Sequence, residues 1–244
     1  MLKFTDRVNR VPRLWSNKEL RRIAPLLEGD VINVSAWKDE DKDGGHYREY
    51  FTSATSYSIS NWYSERGFQN AHDEVLLDLD SPLPPELSRK FDVVFNHTTL
   101  EHVFDVFQAF ENLCELSKDT VVVVVPFMQE LHYSEGYLDY WRLTPYALRE
   151  LFKRNGMECI HESVCDFPNT SVYVISIGSR NAAKWQGKFP ALKDHWLGVG
   201  KSNVRNDLLQ VVNGALYPWM ERAKSVIYPR LKMAKGALKR LKHR

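Results

Sequence analysis

The sequence predicts an α/β fold built on a seven-stranded, mostly parallel sheet with helices on both faces. Short apolar runs rich in β-branched residues alternate with segments of helical periodicity along most of the chain, which is the pattern of repeated strand–helix–strand units. Residues 121–125 are five consecutive valines, typical of a strand buried on both faces. Residues 91–95 form a second apolar run, which leads through small polar residues into a helical spacing of apolar side chains.

The composition favours an ordinary globular protein. A chain of 244 residues is long enough for one α/β domain with extensions, and it is 43% hydrophobic and 26% charged. No apolar run reaches the length of a membrane span, and the first residues lack the apolar core of a secretory signal. The three cysteines form neither a metal-ligand spacing nor a disulfide framework. We therefore expect a cytoplasmic protein with no metal site.

The N-terminal part is predicted to supply a covering helix and the first strand. Residues 1–28 form a helical lead-in, in which Ser16 marks the helix start and regularly spaced leucine and isoleucine residues form the apolar side. Residues 29–37 are the first strand with its turn. Residues 44–51 are predicted as the first helix after that strand.

The middle of the chain continues the alternation. Residues 56–61 and 74–80 are predicted as the second and third strands, and a proline-rich loop follows them. Residues 91–95 are the fourth strand, after which a helix is expected from Leu100 to Leu116. Because ligands bind at the carboxyl ends of the strands in open α/β sheets, polar residues that follow these strands are candidates for a site.

The last elements complete the sheet. Residues 121–127 are the fifth strand, and residues 146–155 are a helix capped by Thr144. Residues 157–163 and 171–177 are predicted as an antiparallel pair at one edge. The predicted organisation is a helical lead-in, an α/β domain, an irregular covering segment and a basic helical tail, at residues 1–28, 29–180, 181–206 and 207–244.

Positive charge is concentrated in the tail. Residues 221–244 hold nine Lys/Arg and one Glu, a net charge of +8, so the other 220 residues sum to −6. From Leu216 onward, apolar residues recur at helical spacing on either side of Pro229. A basic amphipathic helix of this kind can lie in a membrane interface or bind an acidic partner. The alternative is a solvated tail.

Two stretches carry a resemblance to a known family. Residues 91–102 read FDVVFNHTTLEH, and residues 126–145 contain the pattern P-F…H…D-Y-W-R-x-T-P. The first resembles the fourth motif of class I S-adenosylmethionine (SAM) dependent methyltransferases. The second is similar to type 11-like members encoded with bacterial polysaccharide and lipopolysaccharide genes. The resemblance implies a Rossmann-like fold, SAM as cofactor, and methyl transfer to a hydroxyl of a sugar or growing cell-surface glycan.

The resemblance also implies a set of cofactor-binding residues at the strand ends. Asp78 matches the position that meets the adenine amino group, and Asn61 stands where the family has an acid that binds both ribose hydroxyls. Trp62 or Tyr63 is expected either against the adenine or in the core. The cofactor-binding set implied in this way is Asn33, Ser35, Asn61, Asp78, Asn96 and His97.

The chain departs from the family at two cofactor positions. No G-x-G follows the first strand, where glycines would let the backbone approach the methionine part of SAM, and Asn33 occupies the acidic position there. The amide of Asn61 can bond a hydroxyl, but without the assistance of a charge. These departures keep two alternatives open, a transferase that uses another donor and a catalytically silent scaffold.

The loop after the fifth strand is dense in aromatic and hydrogen-bonding side chains and is expected to face the acceptor. His132 is predicted as the base, since a neutral imidazole can take a proton from a sugar hydroxyl. Glu101 and His102 are more simply explained by packing and capping near a helix start. A nucleic-acid acceptor is not expected, because the basic residues are gathered in the tail. The predicted substrate-binding residues are Asp139, Tyr140, Trp141 and Arg142.

Overall fold

The computed structural model describes residues 7–63, 67–133, 136–168 and 170–200. The predicted basic tail, residues 207–244, lies outside these ranges, as do residues 201–206 of the predicted covering segment. The described residues form a sheet in the order β3-β2-β1-β4-β5-β7-β6. Its strands are β1 Gly29–Val34, β2 Ala54–Asn61, β3 Glu74–Leu76, β4 Phe91–His97, β5 Ser117–Met128, β6 Glu158–Cys165 and β7 Val172–Ser179.

The direction of the strands confirms the predicted topology. Strands β1 to β5 pair in parallel, and β7 runs antiparallel to both of its neighbours, β5 and β6. The valines at 121–125 lie in β5 at the centre of the sheet and are at most 1% exposed. Their burial on both faces explains why the sequence shows an unbroken apolar run instead of an alternation.

Helices cover both faces of the sheet, as expected. Helix α1, Arg7–Ile23, packs on one face, where Leu20 and Ile23 join side chains of β1, β4, β5 and β7. Helices α2, Val106–Leu116, and α3, Pro145–Arg154, pack on the other face. No helix within the described ranges is long and apolar enough to cross a bilayer.

The caps of α2 and α3 follow from side-chain chemistry. Thr144 caps α3 as predicted: its hydroxyl accepts the N–H of Ala147 at 3.1 Å, and Pro145 takes the first helical position. Asp105 caps α2 by accepting the N–H of Gln108 at 3.0 Å. Both caps satisfy a backbone donor that the helix itself leaves without a partner.

Helix α3 approaches the sheet closely at one glycine. A Cβ placed on Gly178 of β7 would lie 2.3 Å from the ring of Phe152. Phe152 is fully buried and packs edge-on against Phe110 of α2, with 4.9 Å between the ring centroids. Glycine at this position therefore lets α3 dock on β7.

The helix predicted from Leu100 to Leu116 is wrong in its first part. A 3₁₀ helix at Leu100–His102 comes first, Val103 is extended, and α2 begins only at Val106. The break occurs because Asp105 caps α2, so the residues before Val106 stand outside the helix.

The helix predicted at residues 44–51 is reduced to a 3₁₀ helix at Tyr47–Tyr50. The N–H groups of Arg48 and Gly45 are held by the carboxylates of Asp39 and Asp41 instead of by an α-helical ladder. Side chains in the preceding loop thus compete with helix formation.

Among the other boundaries that differ, two have a reason in local hydrogen bonding. Helix α1 begins at Arg7 instead of Ser16, whose hydroxyl donates to the carbonyl of Arg13 and does not cap a helix start. The third strand ends at Leu76 instead of residue 80, because the Asp78 carboxylate accepts the N–H of Asp80 and turns the chain.

Candidate functional site

From β1 the chain adds strands toward one edge of the sheet, and from β4 it adds strands toward the other edge. These two strands are neighbours, yet β1 leads toward β2 on one side and β4 leads toward β5 on the other. In open α/β sheets, such a switch point leaves a crevice at the carboxyl ends of the strands, where ligands bind. The loops that follow β1, β2, β4 and β5 therefore define the candidate site.

In the loop after β1, residues other than glycine adopt the left-handed backbone conformation. Ser35, Trp37 and Asp39 have φ angles of 58°, 52° and 61°, a region that costs energy for residues with a Cβ. The N–H of Ala36 bonds the carbonyl of Ser60, so the loop continues along β2. Residues other than glycine thus form the tight turn that a G-x-G sequence would provide.

Two buried aspartates hold this loop. Asp39 accepts the Nδ2–H of Asn33 at 2.8 Å, the hydroxyl of Tyr57 at 2.7 Å and the N–H of Arg48 at 2.9 Å. The predicted cofactor residue Asn33 is therefore buried inside the loop, where its amide nitrogen supports Asp39.

Asp41 organises the second half of the loop. It accepts the hydroxyl of Tyr50 at 2.6 Å, the N–H groups of Asp43 and Gly45, and the guanidinium of Arg21 in α1 at 3.2 Å. Burial opposes ionisation of this carboxyl, but these donors outweigh it and lower the pKa of Asp41. The carboxylate is therefore a fixed structural anion that ties the loop to α1.

Asn61 joins the loop after β1 to β3. Its Oδ1 accepts the N–H of Trp37 at 2.7 Å, and its Nδ2 donates to the Trp37 carbonyl at 3.1 Å and to Glu74 at 2.6 Å. Glu74 in turn accepts the N–H groups of Gln69 and Ala71. The amide expected to meet a ribose is thus engaged with protein groups on both of its ends.

The other predicted cofactor residues lie at or after the ends of three strands, β1, β3 and β4. Ser35 is half-buried, and its N–H lies 3.4 Å from the Ser60 hydroxyl. Asp78 is half-buried and accepts the hydroxyl of Ser81 at 2.7 Å. Asn96 is fully buried at the end of β4 and donates to the carbonyl of Val34 at 3.0 Å. Its Oδ1 has no hydrogen-bond partner within the described residues.

His97 faces α1 at the end of β4. Its Nε2 lies 3.0 Å from the hydroxyl of Ser16, and its Nδ1 lies 3.1 Å from the hydroxyl of Thr98. Desolvation, with smaller effects from Arg13 and Lys42, lowers the pKa of His97 well below its usual value. The ring is therefore a neutral hydrogen-bonding group between the sheet and α1.

Glu101 and His102 lie together on the turn after β4. Glu101 is 2% exposed, and burial raises the pKa of its carboxyl to about 8. Its Oε1 lies 3.8 Å from Nε2 of His102, and its Oε2 has no hydrogen-bond partner within the described residues. Nδ1 of His102 lies 2.7 Å from the carbonyl of Leu138, so this nitrogen carries the hydrogen.

The loop after β5 places His132 and Asp139 beside this turn. Nδ1 of His132 lies 3.0 Å from Oδ2 of Asp139 but outside hydrogen-bond geometry within the described residues, whereas the backbone N–H of His132 donates to that oxygen at 2.9 Å. Arg142 binds both Asp139 oxygens, at 2.5 and 2.6 Å. Burial opposes ionisation of Asp139, but Arg142 and the His132 amide outweigh it and lower the pKa to about 2.

The turn and the loop meet through backbone and aromatic contacts. The N–H groups of Tyr140 and Trp141 both reach the carbonyl of Glu101, at 2.7 and 3.3 Å. The indole N–H of Trp141 donates to the carbonyls of Val103 and Phe104. Trp141 therefore joins the two segments, whereas the ring of Tyr140 is exposed.

The result is a compact polar cluster that the sequence only partly revealed. The structure brings together Glu101, His102, His132, Asp139 and Arg142. The last three were predicted as site residues, but Glu101 and His102 were assigned to capping and packing. The sequence Leu-Glu-His after β4 could have indicated these two residues, because it places a carboxyl and an imidazole at a strand end.

The sequence matches no protein-family model and no curated protein sequence. The fold, however, matches many solved structures. A candidate methyltransferase of Haloferax volcanii, in complex with the Trm112 methyltransferase activator, is 15% identical with a TM-score of 0.50, over 67% of this chain and 88% of that one. This likeness shows that the two chains share a fold.

Two further structures are similar at lower scores. An SAM-dependent methyltransferase of Mesorhizobium loti is 14% identical over 69% of this chain and 98% of that one, with a TM-score of 0.49. Magnesium protoporphyrin IX methyltransferase of Synechocystis, solved with bound SAM, is 12% identical over 69% of this chain and 80% of that one, also with a TM-score of 0.49. The chain has the fold of class I SAM-dependent methyltransferases.

Proposed function

We propose that this protein is an SAM-dependent methyltransferase that acts on a hydroxyl group of a sugar or of a growing cell-surface glycan. The observation that carries the proposal is the His132–Asp139 pair, which lies beside the switch point of a methyltransferase fold. An oxygen acceptor must lose a proton when it is methylated, and this pair can take that proton.

The residues at the switch point fit the cofactor in part. The buried Oδ1 of Asn96 is an acceptor that a donor such as an ammonium group would satisfy. The exposed rings of Trp62 and Tyr63 directly after β2 offer flat surfaces for adenine. The half-buried carboxylate of Asp78 follows β3, the strand next to β2. When bound, SAM would supply a methyl group whose bond to the sulfonium sulfur breaks as the acceptor oxygen bonds the methyl carbon, with the neutral thioether as the leaving group.

The remaining predicted cofactor residues are better suited to supporting roles. Asn33 and Asn61 hold the loop after β1, and His97 joins β4 to α1. We therefore retain Ser35, Asp78 and Asn96 as direct cofactor contacts, and we assign Asn33, Asn61 and His97 to shaping the surface on which the cofactor would rest.

His132 is the proposed base. The Asp139 carboxylate lies 3.0 Å from Nδ1, where its charge would stabilise the imidazolium that forms when His132 takes a proton. Because Arg142 holds Asp139 through two hydrogen bonds, the carboxylate is already beside the imidazole before an acceptor arrives. The His132 side chain is 33% exposed, which leaves it accessible to an acceptor hydroxyl.

A sugar acceptor is supported by the aromatic surface around this pair. The ring of Tyr137 lies 4.4 Å from that of His102, and the rings of Phe104 and Tyr140 pack edge-on at 5.3 Å. Tyr133, Tyr137, Tyr140 and Phe104 are all exposed. Aromatic faces suit the C–H faces of a sugar, and nearby polar groups can bond its hydroxyls. Asp139, Trp141 and Arg142 bond protein groups and would position this surface, while Tyr140 would contact the acceptor.

Location at the inner face of the cytoplasmic membrane forms part of the same proposal. Glycans that grow on a lipid carrier are assembled next to a membrane, and the basic amphipathic pattern of residues 216–244 suits an anionic surface. Each basic residue near such a surface contributes about 1 kcal/mol of attraction.

The second candidate is a protein of the same fold with another donor or with no catalysis. The observation that favours it is the full engagement of Asn61, which leaves no group at the usual ribose position. Titration of the purified protein with SAM separates the two candidates. Affinity in the micromolar range or tighter supports the methyltransferase, and no binding at about 1 mM SAM supports the second candidate.

The proposed reaction is tested with radiolabelled SAM and a panel of lipid-linked and free oligosaccharides. His132→Ala and Asp139→Asn should lower turnover by roughly a hundredfold or more, since each removes part of the base, while the dissociation constant for SAM stays unchanged. His72→Ala is the matched control, because His72 is exposed and remote in sequence from the cluster. Equal turnover in His132→Ala and wild type would assign His132 to packing.

A further inference from the structure

Three side chains on two loops converge next to β4 and β5. Glu101 and His102 come from the turn after β4, and His132 comes from the loop after β5. Each offers one ligand atom, and the three atoms lie within 4.8 Å of one another. Neighbouring positions in a sequence do not reveal this convergence, because His132 is thirty residues from His102.

The Glu101 carboxyl faces an imidazole nitrogen of His102 that carries no hydrogen. The Leu138 carbonyl fixes the hydrogen of His102 on Nδ1, so Nε2 presents a lone pair to the Glu101 carboxyl 3.8 Å away. The second carboxyl oxygen, Oε2, is buried and has no hydrogen-bond partner within the described residues. A buried carboxyl that faces a lone pair is costly unless a proton or a metal ion lies between them.

A fixed carboxylate lies beside the ring of His132. Asp139 stands 3.0 Å from its Nδ1, and Arg142 fixes Asp139 through two hydrogen bonds. Metal-binding histidines commonly have such a carboxylate beside the ring nitrogen that does not bind the ion. A backbone carbonyl therefore holds His102 through a hydrogen bond, and a carboxylate that Arg142 fixes stands next to His132.

We propose that Glu101, His102 and His132 bind a divalent first-row transition-metal ion, with Zn²⁺ as the best match. Two imidazoles and one carboxylate suit zinc and its neighbours better than magnesium or calcium, which prefer oxygen ligands. Zinc bonds of about 2.0–2.2 Å place tetrahedral ligands about 3.4 Å apart. The three side chains would therefore have to close by up to about 1.4 Å from their present separation of at most 4.8 Å, and at least one coordination position would stay open.

The metal site follows from the geometry of the cluster and stands whether or not the protein transfers methyl groups. It does constrain that reaction, because the ion and an acceptor proton would compete for the same lone pair on His132. His132 would therefore act as the base only in the metal-free protein, and in the metal-loaded protein it would be a ligand. The open coordination position would then be the place at which an acceptor oxygen could bind.

The test is Zn²⁺ binding by the full-length protein after removal of metal with a chelator. We expect one Zn²⁺ per chain in titration calorimetry, and X-ray absorption should show two imidazole ligands. His102→Ala, His132→Ala and Glu101→Gln should each weaken binding at least about tenfold. Zn²⁺ should raise the melting temperature of the wild type but not that of Glu101→Gln, which keeps the shape of the side chain.

The control is His72→Ala, which removes an exposed histidine and should bind Zn²⁺ like the wild type. Circular dichroism of each variant shows whether it is folded, and Glu101→Gln remains informative if either alanine variant is not. Unchanged affinity in the folded cluster variants would overturn the proposal. So would the absence of binding at about 1 mM Zn²⁺, which would favour a proton shared between Glu101 and His102.

Discussion

The side-chain amide of Asn61 pairs with the backbone of Trp37 through two hydrogen bonds. Oδ1 accepts the Trp37 N–H at 2.7 Å, and Nδ2 donates to the Trp37 carbonyl at 3.1 Å. The Nδ2 group also donates to Glu74 at 2.6 Å. Only an amide offers an acceptor and two donors in this arrangement, so the geometry explains why an asparagine stands where an acid was expected.

Replacing Asn61 with aspartate should therefore destabilise the protein. Asn61→Asp removes both donors and places a carboxylate against Glu74 and the Trp37 carbonyl, at an expected cost of about 1–3 kcal/mol in the free energy of unfolding. Urea denaturation at neutral pH measures this cost, with Asn70→Asp in an adjacent loop as the control. Equal stability of Asn61→Asp and wild type would show that the pairing contributes nothing.

Asp78 provides a test of cofactor contact. If SAM binds as proposed, Asp78→Ala should weaken its affinity by about 1–3 kcal/mol, the usual cost of leaving a buried donor without a partner. Calorimetric titration with SAM measures the change. Asp73→Ala, an exposed carboxylate just before β3, serves as the control and should bind like the wild type. Unchanged affinity in Asp78→Ala would remove this residue from the cofactor site.

His161 should make the protein sensitive to mild acid. The side chain lies on β6, is 4% exposed and stacks on Phe189, with 4.9 Å between the ring centroids. Desolvation, with a smaller effect from Arg22 and against the opposing effect of Glu19, lowers the pKa of His161 to about 4. Since its pKa in the unfolded chain is about 6.5, the unfolded state binds the proton first as the pH falls.

The free energy of unfolding should therefore decrease between about pH 6.5 and pH 4, by roughly 3 kcal/mol in total from this residue. His161→Phe keeps the stacking and removes the titration, so its stability should depend less on pH over this range. Urea unfolding of both proteins at pH 7 and pH 4.5 makes the comparison. Parallel losses of stability in the two proteins would exclude His161 as a source of the acid sensitivity.

The tail is expected to bind anionic membranes. Full-length protein should sediment with liposomes that contain anionic lipid at low salt and be released at high salt, because salt screens the attraction of the basic residues. A chain truncated after Gly214 should stay in solution. Equal binding of the truncated and full-length chains would place the membrane contact elsewhere, and neutral liposomes control for contacts that do not depend on charge.

The topology could be predicted because it depends on burial. The valines of β5 must be covered on both faces, and that requirement places β5 in the interior of a sheet with helices on both sides. Thr144 and Pro145 likewise mark the start of α3 through local chemistry. Each of these signals depends on residues that are close together in the chain, so the sequence alone is enough to identify it.

The loop after β1 could not be predicted for the opposite reason. Asp39 and Asp41 look like part of a solvated, charged loop, but the structure buries both and surrounds them with donors from α1, β1 and β2. The convergence of His132 with Glu101 is hidden in the same way, since it depends on where two distant loops meet. Long-range pairing of polar groups leaves no periodic pattern in a sequence.

The hydrogen bonds of Asp39 and Asp41 have a consequence for recognition. A loop fixed by internal partners has already lost its conformational entropy in the free protein, so a ligand that rests on it does not have to order it. The loop would keep its conformation when a ligand binds, and selectivity would depend on the fit of the ligand to an existing surface. Glycine-rich turns adapt to the cofactor that they enclose, whereas this turn would accept only ligands that match the shape it already has.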